Sequence, residues 1–295
     1  MGAPAGAGIV NALSVDVEEY YHALVFQEAT AGLGGGAWES RVEPSTERVL
    51  ALLGRHGIRG TFFVLGEVAA AHPALVRRIA GAGHEVACHG YRHARVDAAT
   101  PPAFRADVRR AKAVLEDLAG AAVLGYRAPN FSIGRGQPWA FDVLLEEGFE
   151  YDSSTYPIAH DRYGDRTAPR AVHEVRRTPR GRLIEFPIGT VRLLGWNLPA
   201  GGGGYFRVLP GALVQAGIRR VNRCERRPTM FYFHPWELDP AQPRPPMRWR
   251  HRARHYAGTR RMERKLETLL AGLRFAPARD VLGLGRPVPA RSAVA

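Results

Sequence analysis

The chain has little cysteine and no long apolar segment, and both features restrict its class. Its 295 residues include two cysteines, Cys88 and Cys224, which are too few for a disulfide framework and lie in no paired metal-ligand spacing. Cys88 is expected to pack within a strand. No run of about 18 apolar residues occurs, and residues 1–21 lack the basic start and apolar run of a signal peptide. These absences predict a soluble, cytoplasmic protein in a reducing environment.

Acidic residues are also scarce relative to basic ones. The 28 Asp and Glu against 41 Lys and Arg give a net charge of +13, which suits nucleic acid, an anionic membrane surface or an acidic polysaccharide. The densest basic run, residues 243–265, mixes prolines, aromatics and glycine and forms no clean amphipathic face. No nucleic-acid-binding module accompanies the charge, so nucleic acid is not expected as a partner. A solvated basic face is favoured, and peripheral contact with an anionic membrane stays open.

Apolar strands alternate with helical segments along most of the chain, which predicts one α/β domain. We expect this domain over residues 9–282, with a disordered tail at 1–8 and a second tail at 283–295. Three stretches are predicted to be irregular: a lid-like loop from residue 22 to Trp38, a polar surface excursion over 160–182, and a flexible loop at Gly201–Gly204.

The segment HEVACHGYRH, residues 84–93, carries the strongest chemical signal. Its first half has the pattern of a short buried strand, and the chain turns at Gly90. If a helical turn follows, His89 and His93 stack on one face and their neutral nitrogens can hold one divalent metal. A pair of surface histidines is the alternative. Their position at the end of an apolar strand favours the metal site, since active sites of strand–helix barrels gather there.

Carboxylates end the first predicted strand, in IVNALSVDVEEYY. Asp16 and Glu18 are two residues apart, so an extended strand points both toward the same place while Val17 packs away from it. Further polar residues leave later strands: Arg127 before an Ala-Pro pair, Asp152 in FEYDSS, and His234 after the strand at 230–233. Each has a simple explanation as a solvated strand end. Together they predict a single site on one rim of the fold.

At this point the chain resembles the polysaccharide deacetylases of the NodB-homology superfamily, similar to carbohydrate esterase family 4. The resemblance covers about residues 9–282 and rests on SVDVEEYY, TFFVLGE, HGYRH, the RAP arginine motif and YDSS. The segments GGGGYFR, YFHPWELDPAQPR and LRFAPARDVL are similar to the subgroup encoded near exosortase and exopolysaccharide biosynthesis genes, with its C-terminal extension over about 190–282. The fold implied is a distorted (β/α)7-type barrel in one domain.

The resemblance implies metal-dependent removal of N-acetyl groups from the amino sugars of a polysaccharide. His89 and His93 would be metal ligands, with a third ligand from the first strand. Many relatives carry adjacent aspartates there, whereas this chain reads Asp-Val-Glu. We assign Asp16 as the base and Glu18 as the ligand, and the reverse stays open. Zinc is the first choice of metal, with cobalt, nickel and iron as alternatives.

The remaining roles follow from residue type. His234 would protonate the leaving amine, with Asp152 as its partner, and Arg127 would orient Asp16. Substrate and oxyanion contacts are predicted at four positions: Asn130, through its backbone N–H, Tyr205, Arg207 and Trp236.

Three other functions remain open from the sequence. A carbohydrate O-acetyl esterase or a ureide-type amidohydrolase would need the same metal site. An inactive sugar-binding module would keep the barrel and lack turnover. A basic nucleic-acid binder would show binding that weakens as salt rises.

Overall fold

The computed structural model of the protein describes residues 8–32, 38–179 and 181–284. Most of the two predicted tails lies outside the described residues. No described helix is both long enough and apolar enough to cross a membrane.

A parallel sheet forms the centre of the fold. Its strand order is β10-β1-β2-β3-β4-β5-β7, with β6 antiparallel to β7 at one edge and β11 paired with the start of β1. The strands are β1 (Val10–Val17), β2 (Thr61–Val64), β3 (Glu85–Cys88), β4 (Gly125–Tyr126), β5 (Tyr151–Asp152), β6 (His173–Thr178), β7 (Gly181–Glu185), β8 (Thr190–Leu193), β9 (Trp196–Pro199), β10 (Met230–Phe233) and β11 (Arg274–Ala276).

Helices surround this sheet. They are α1 (Leu24–Thr30), α2 (Val42–Arg55), α3 (Gly66–Ala71), α4 (Pro73–Gly81), α5 (Pro101–Ala119), α6 (Trp139–Glu146), α7 (Gly203–Val208), α8 (Gly211–Arg220), α9 (Trp249–Tyr256), α10 (Thr259–Gly272) and α11 (Ala278–Leu282).

The sheet curls into the predicted barrel. Ile188, just beyond β7, pairs with Met230 of β10, and this contact joins the two edges of the parallel path. Seven parallel strands with helices around them confirm the expected distorted (β/α)7 barrel in one α/β domain. Helices cover the outside and side chains fill the inside, so the central strands are buried on both faces.

The side chains of β1 alternate between two hydrophobic clusters, one under the outer helices and one inside the barrel. Leu13, Val15 and Val17 pack in the large cluster under the outer helices. Ala12 belongs to the interior cluster. Because successive side chains in a strand point to opposite faces, Asp16 shares the interior direction of Ala12. Cys88 of β3 packs in the outer core as expected.

Three segments predicted to be irregular contain regular structure. The expected lid includes α1, and its residues 33–37 lie outside the described residues. The excursion over 160–182 contains β6, whose alternating exposure is that of an edge strand. The glycine run begins α7 and passes so close to β10 that a Cβ at Gly202 would lie 1.9 Å from the Tyr232 carbonyl oxygen. Close packing, and not flexibility, explains the glycines.

Candidate active site

Two histidines and a glutamate meet where β1 and β3 end. The ligand atoms of Glu18, His89 and His93 all lie within 4.8 Å of one another. Oε2 of Glu18 is 2.6 Å from Nε2 of His93 and 3.6 Å from Nε2 of His89. All three side chains are buried. Two imidazole nitrogens and a carboxylate oxygen are the donors that zinc and similar divalent ions take in catalytic sites.

A turn, and not a helix, brings the two histidines together. Gly90 and His93 both have left-handed backbone angles, with φ of 82° and 50°. The N–H of Tyr91 donates to Oδ2 of Asp107 on α5 at 2.7 Å, which holds the turn in place. The helical turn expected from the spacing is therefore wrong, although the two side chains do converge.

The surroundings of the cluster fit a metal site. Nδ1 of His89 lies 2.8 Å from the carbonyl oxygen of Arg127, so its N–H donates there and the Nε2 lone pair faces Glu18. Burial by itself would raise the pKa of Glu18, but the neighbouring His93 and His234 hold it well below its usual value. His22 stacks on His93, with ring centroids 5.1 Å apart. The donor set therefore has the geometry and ionisation that a divalent cation requires.

Asp16 is held by a buried arginine. Nη1 of Arg127 lies 2.5 Å from Oδ1 of Asp16 and also donates to Ser14 at 2.9 Å. The other nitrogens of the guanidinium donate to the Ser153 carbonyl oxygen and hydroxyl, and the group lies over the Phe63 ring. Arg127 is completely buried. The guanidinium is therefore fixed in position and contacts Asp16 through Nη1 alone, and not in the two-pronged geometry expected from the Arg-Ala-Pro motif.

Glu237, and not Asp152, is the carboxylate partner of His234. Nδ1 of His234 lies 3.3 Å from Oε2 of Glu237, whose Oε1 accepts a hydrogen bond from Arg207 at 2.7 Å. Nε2 of His234 faces the site, 3.9 Å from Oδ2 of Asp16. Burial lowers the pKa of His234, but the nearby carboxylates, chiefly Glu18 and Glu237, raise it to about 9. The surrounding carboxylates therefore favour the protonated form of His234.

Asp152 lies elsewhere, so its predicted pairing with His234 is wrong. It is fully buried beside Glu185 on the neighbouring strand β7. Its Oδ1 accepts a hydrogen bond from the Ser154 hydroxyl at 2.6 Å, and that hydroxyl accepts one from the Ala128 N–H at 2.8 Å. Burial raises the pKa of Asp152, and burial together with Asp152 raises that of Glu185 well above its usual value. Asp152 supports the backbone next to Arg127.

A cavity of about 320 Å³ opens over these residues. Asn130, Tyr205 and Trp236 line it, as the sequence predicted for substrate contacts. Trp236 stacks on His234, and its indole N–H donates to Oε1 of Glu18 at 3.3 Å. Arg207 also reaches the wall, but its guanidinium is occupied by Glu237 and by backbone carbonyl oxygens. Arg207 therefore holds Glu237 in place, and a direct substrate contact from Arg207 stays a prediction.

Two functional residues escaped sequence reasoning. Glu237 follows His234 by three residues in His-Pro-Trp-Glu, and that spacing across one helical turn is a signal that could have identified it. His22 carried no such signal, because its stacking on His93 depends on a short helical turn after β1.

Comparison with known proteins finds two family matches along the chain. Residues 30–137 match the family described as polysaccharide deacetylase, and residues 153–283 match a domain of unknown function, DUF3473. The match at residues 30–137, together with the relatives named below, supports assignment of the chain to the polysaccharide deacetylase family.

Curated relatives match in part. The chain is 28% identical over 150 residues to the peptidoglycan-N-acetylglucosamine deacetylase of Bacillus cereus, covering 47% of this chain and 53% of the relative. It is 31% identical over 117 residues to the peptidoglycan deacetylase of Helicobacter pylori, covering 38% and 37%. The chain thus spans about half or less of the length of these relatives.

Solved structures share the fold over nearly the whole chain. A Mycobacterium smegmatis structure described as a polysaccharide deacetylase superposes with a TM-score of 0.62 at 22% identity, covering 96% of this chain and 92% of that one. The Puue allantoinase gives a TM-score of 0.57 at 17% identity, covering 95% and 90%.

Proposed function

We propose that the protein is a metal-dependent hydrolase that removes N-acetyl groups from the amino sugars of a polysaccharide, with a role in exopolysaccharide biosynthesis. The observation that carries the proposal is the meeting of three groups in one cavity: the Glu18, His89 and His93 cluster, the carboxylate of Asp16 on Arg127, and the charged imidazole of His234. The polysaccharide deacetylase match over residues 30–137 and the deacetylase names of the relatives support the same reaction.

Glu18, His89 and His93 would hold the divalent ion, with zinc as the first choice of metal. A bound ion would polarise the acetyl carbonyl and make water easier to deprotonate. Asp16 is the proposed base that takes the proton of the attacking water. The reverse assignment, with Asp16 as ligand, is disfavoured because the Asp16 carboxylate is engaged by Arg127 while Glu18 contacts both histidines.

His234 is the proposed acid. An amine leaves as a neutral molecule only if it gains a proton, and a partly buried imidazolium held by Glu237 can supply one. Asn130, which lines the cavity in a left-handed conformation with φ of 55°, is the proposed donor to the developing oxyanion through its backbone N–H. Tyr205 and Trp236 offer aromatic surface to sugar rings.

The test is to load the purified protein with zinc, cobalt, nickel or iron and measure acetate released from N-acetylated oligosaccharides. Acetylated xylan and allantoin, run in parallel, separate the esterase and ureide alternatives. Release of acetate from amino sugars that Asp16→Asn abolishes supports the proposal. Turnover of xylan or allantoin alone would assign a different substrate, and no turnover with any metal would favour a sugar-binding module. The cytoplasmic location expected from the sequence stays a prediction.

A further inference from the structure

A hairpin on the outside of the barrel ends in exposed apolar side chains. Strands β8 and β9 pair from Thr190 with Pro199 to Leu193 with Trp196 at the turn. Val191, near the base, is buried and packs against Gly217 of α8. Leu193 and Trp196 lie on the same face of the hairpin as Val191 but nearer to its turn. Trp196 is 62% exposed. The apolar face thus continues past the core into solvent.

The turn itself carries a leucine in an unfavourable conformation. Leu194 and Gly195 both have positive φ, 48° and 82°, the pattern of a type I′ turn, in which Asn, Asp or Gly is preferred. A leucine is rare at positive φ, and here its side chain is 91% exposed. Neither local conformation nor packing favours leucine at this position. Its presence therefore indicates a requirement outside the folded chain.

A basic cleft adjoins the hairpin. Its walls carry four arginines against one glutamate: Arg166, Arg170, Arg192, Arg227 and Glu225. Glu225 neutralises part of this charge by pairing with Arg170 and Arg227. Arg166 and Arg192 are exposed, and Asn197 of β9 donates to the Arg166 carbonyl oxygen at 3.3 Å. Positive charge therefore lies directly beside the apolar tip.

We propose that the β8–β9 hairpin and its arginine cleft dock the protein on an anionic lipid bilayer. A narrow turn bearing two leucines and a tryptophan suits insertion among lipids, with the tryptophan at the interface and the arginines at the headgroups. A protein partner fits less well, because a stable interface buries roughly 800 Å² on each side and this tip is narrow and convex. The basic composition of the chain complements the same surface.

Shared wall residues link the active-site cavity to the arginine cleft. The active-site cavity shares Phe131, Arg162 and Tyr163 with a second cavity. That second cavity shares residues 167–169 with the arginine cleft. The three cavities are thus neighbours, in order from the proposed catalytic groups to the hairpin.

The test uses sedimentation with phosphatidylcholine vesicles, with and without phosphatidylglycerol. Wild type should bind the anionic vesicles, and binding should weaken as salt rises. The double variant Leu194→Asn, Trp196→Thr should lose at least about tenfold in affinity. Asparagine suits positive φ better than leucine, so the melting temperature should be unchanged or higher. Arg192→Glu should weaken binding to the anionic vesicles only.

Trp249→Ala is the matched control, because Trp249 is 73% exposed on the basic helix α9, away from the hairpin. It should bind vesicles as wild type does. The proposal is overturned if wild type ignores anionic vesicles, if the double variant still binds them, or if Trp249→Ala is the variant that loses binding. It is also overturned if the double variant instead dissociates a dimer. Vesicle binding needs no turnover, so this result is independent of the proposed deacetylation.

Discussion

Replacing Glu237 by glutamine tests how the proposed acid is held in its charged form. Glu237 contacts Nδ1 of His234 at 3.3 Å and is itself fully buried. A hydrogen bond to a charged group contributes about 1.5–3 kcal/mol, and one pKa unit corresponds to about 1.4 kcal/mol. Glu237→Gln should therefore lower the pKa of His234 by about 1–2 units from its value of about 9.

The sign of the effect on activity follows directly. His234 acts in its protonated form, so activity falls as pH rises through its pKa. The alkaline limb of the kcat/KM profile for an N-acetylated oligosaccharide should move to lower pH by the same 1–2 units. A cation held by Glu18, His89 and His93 would offset the charge of Glu18 and move the wild-type limb below the value of about 9. Glu237 would then be the main charge that sustains the imidazolium.

Asp239→Asn supplies a matched control. Asp239 is buried two residues further on and pairs with Arg41 at 2.8 Å, without touching His234. Both substitutions break a buried ion pair and should lower the melting temperature. Only the Glu237 variant should shift the alkaline limb. If that limb stays in place in Glu237→Gln, or moves equally in Asp239→Asn, Glu237 does not tune His234.

Three further predictions concern the same site. His89→Ala and His93→Ala should each lose bound metal and acetate release together. Their circular dichroism should stay native, because the substitutions leave the barrel core intact. Stoichiometric metal with full activity in either variant would refute the ligand set. His234→Ala should impair the hydrolysis of amide substrates far more than that of an aryl acetate, because a phenolate leaves without being protonated. Asp16→Asn should impair both reactions. Equal losses on the two substrates in His234→Ala would mean that His234 only binds substrate. Arg127→Lys keeps the charge but loses the guanidinium hydrogen bonds to Ser153 that fix its position, so kcat should fall about 100-fold with metal content unchanged. An unaltered kcat would contradict its orienting role.

The site residues that lie on a strand or directly after it were predictable from the sequence. Asp16 and Glu18 follow the alternation of β1, and His234 follows the buried strand β10. Parallel strands deliver their carboxyl ends to one rim, so the order of strands along the sequence was enough to bring these groups together. Asp152 also lies at the end of a parallel strand, β5, yet its carboxylate pairs with the Ser154 hydroxyl. Position at a strand end does not specify whether a side chain reaches the cavity.

The sequence determined the α/β barrel, the cluster of two histidines with a carboxylate, and the arginine at Asp16, because strand order, local spacing and the resemblance to known deacetylases together predict them. Only the tertiary structure decided that Asp152 pairs with Ser154 and not with His234, that Arg207 holds Glu237, and that the glycines beginning α7 pack on β10. Each of these depends on a contact between segments far apart in the chain or on a backbone turn. Such contacts are set by the distances at which folded elements pack, and no local pattern records those distances.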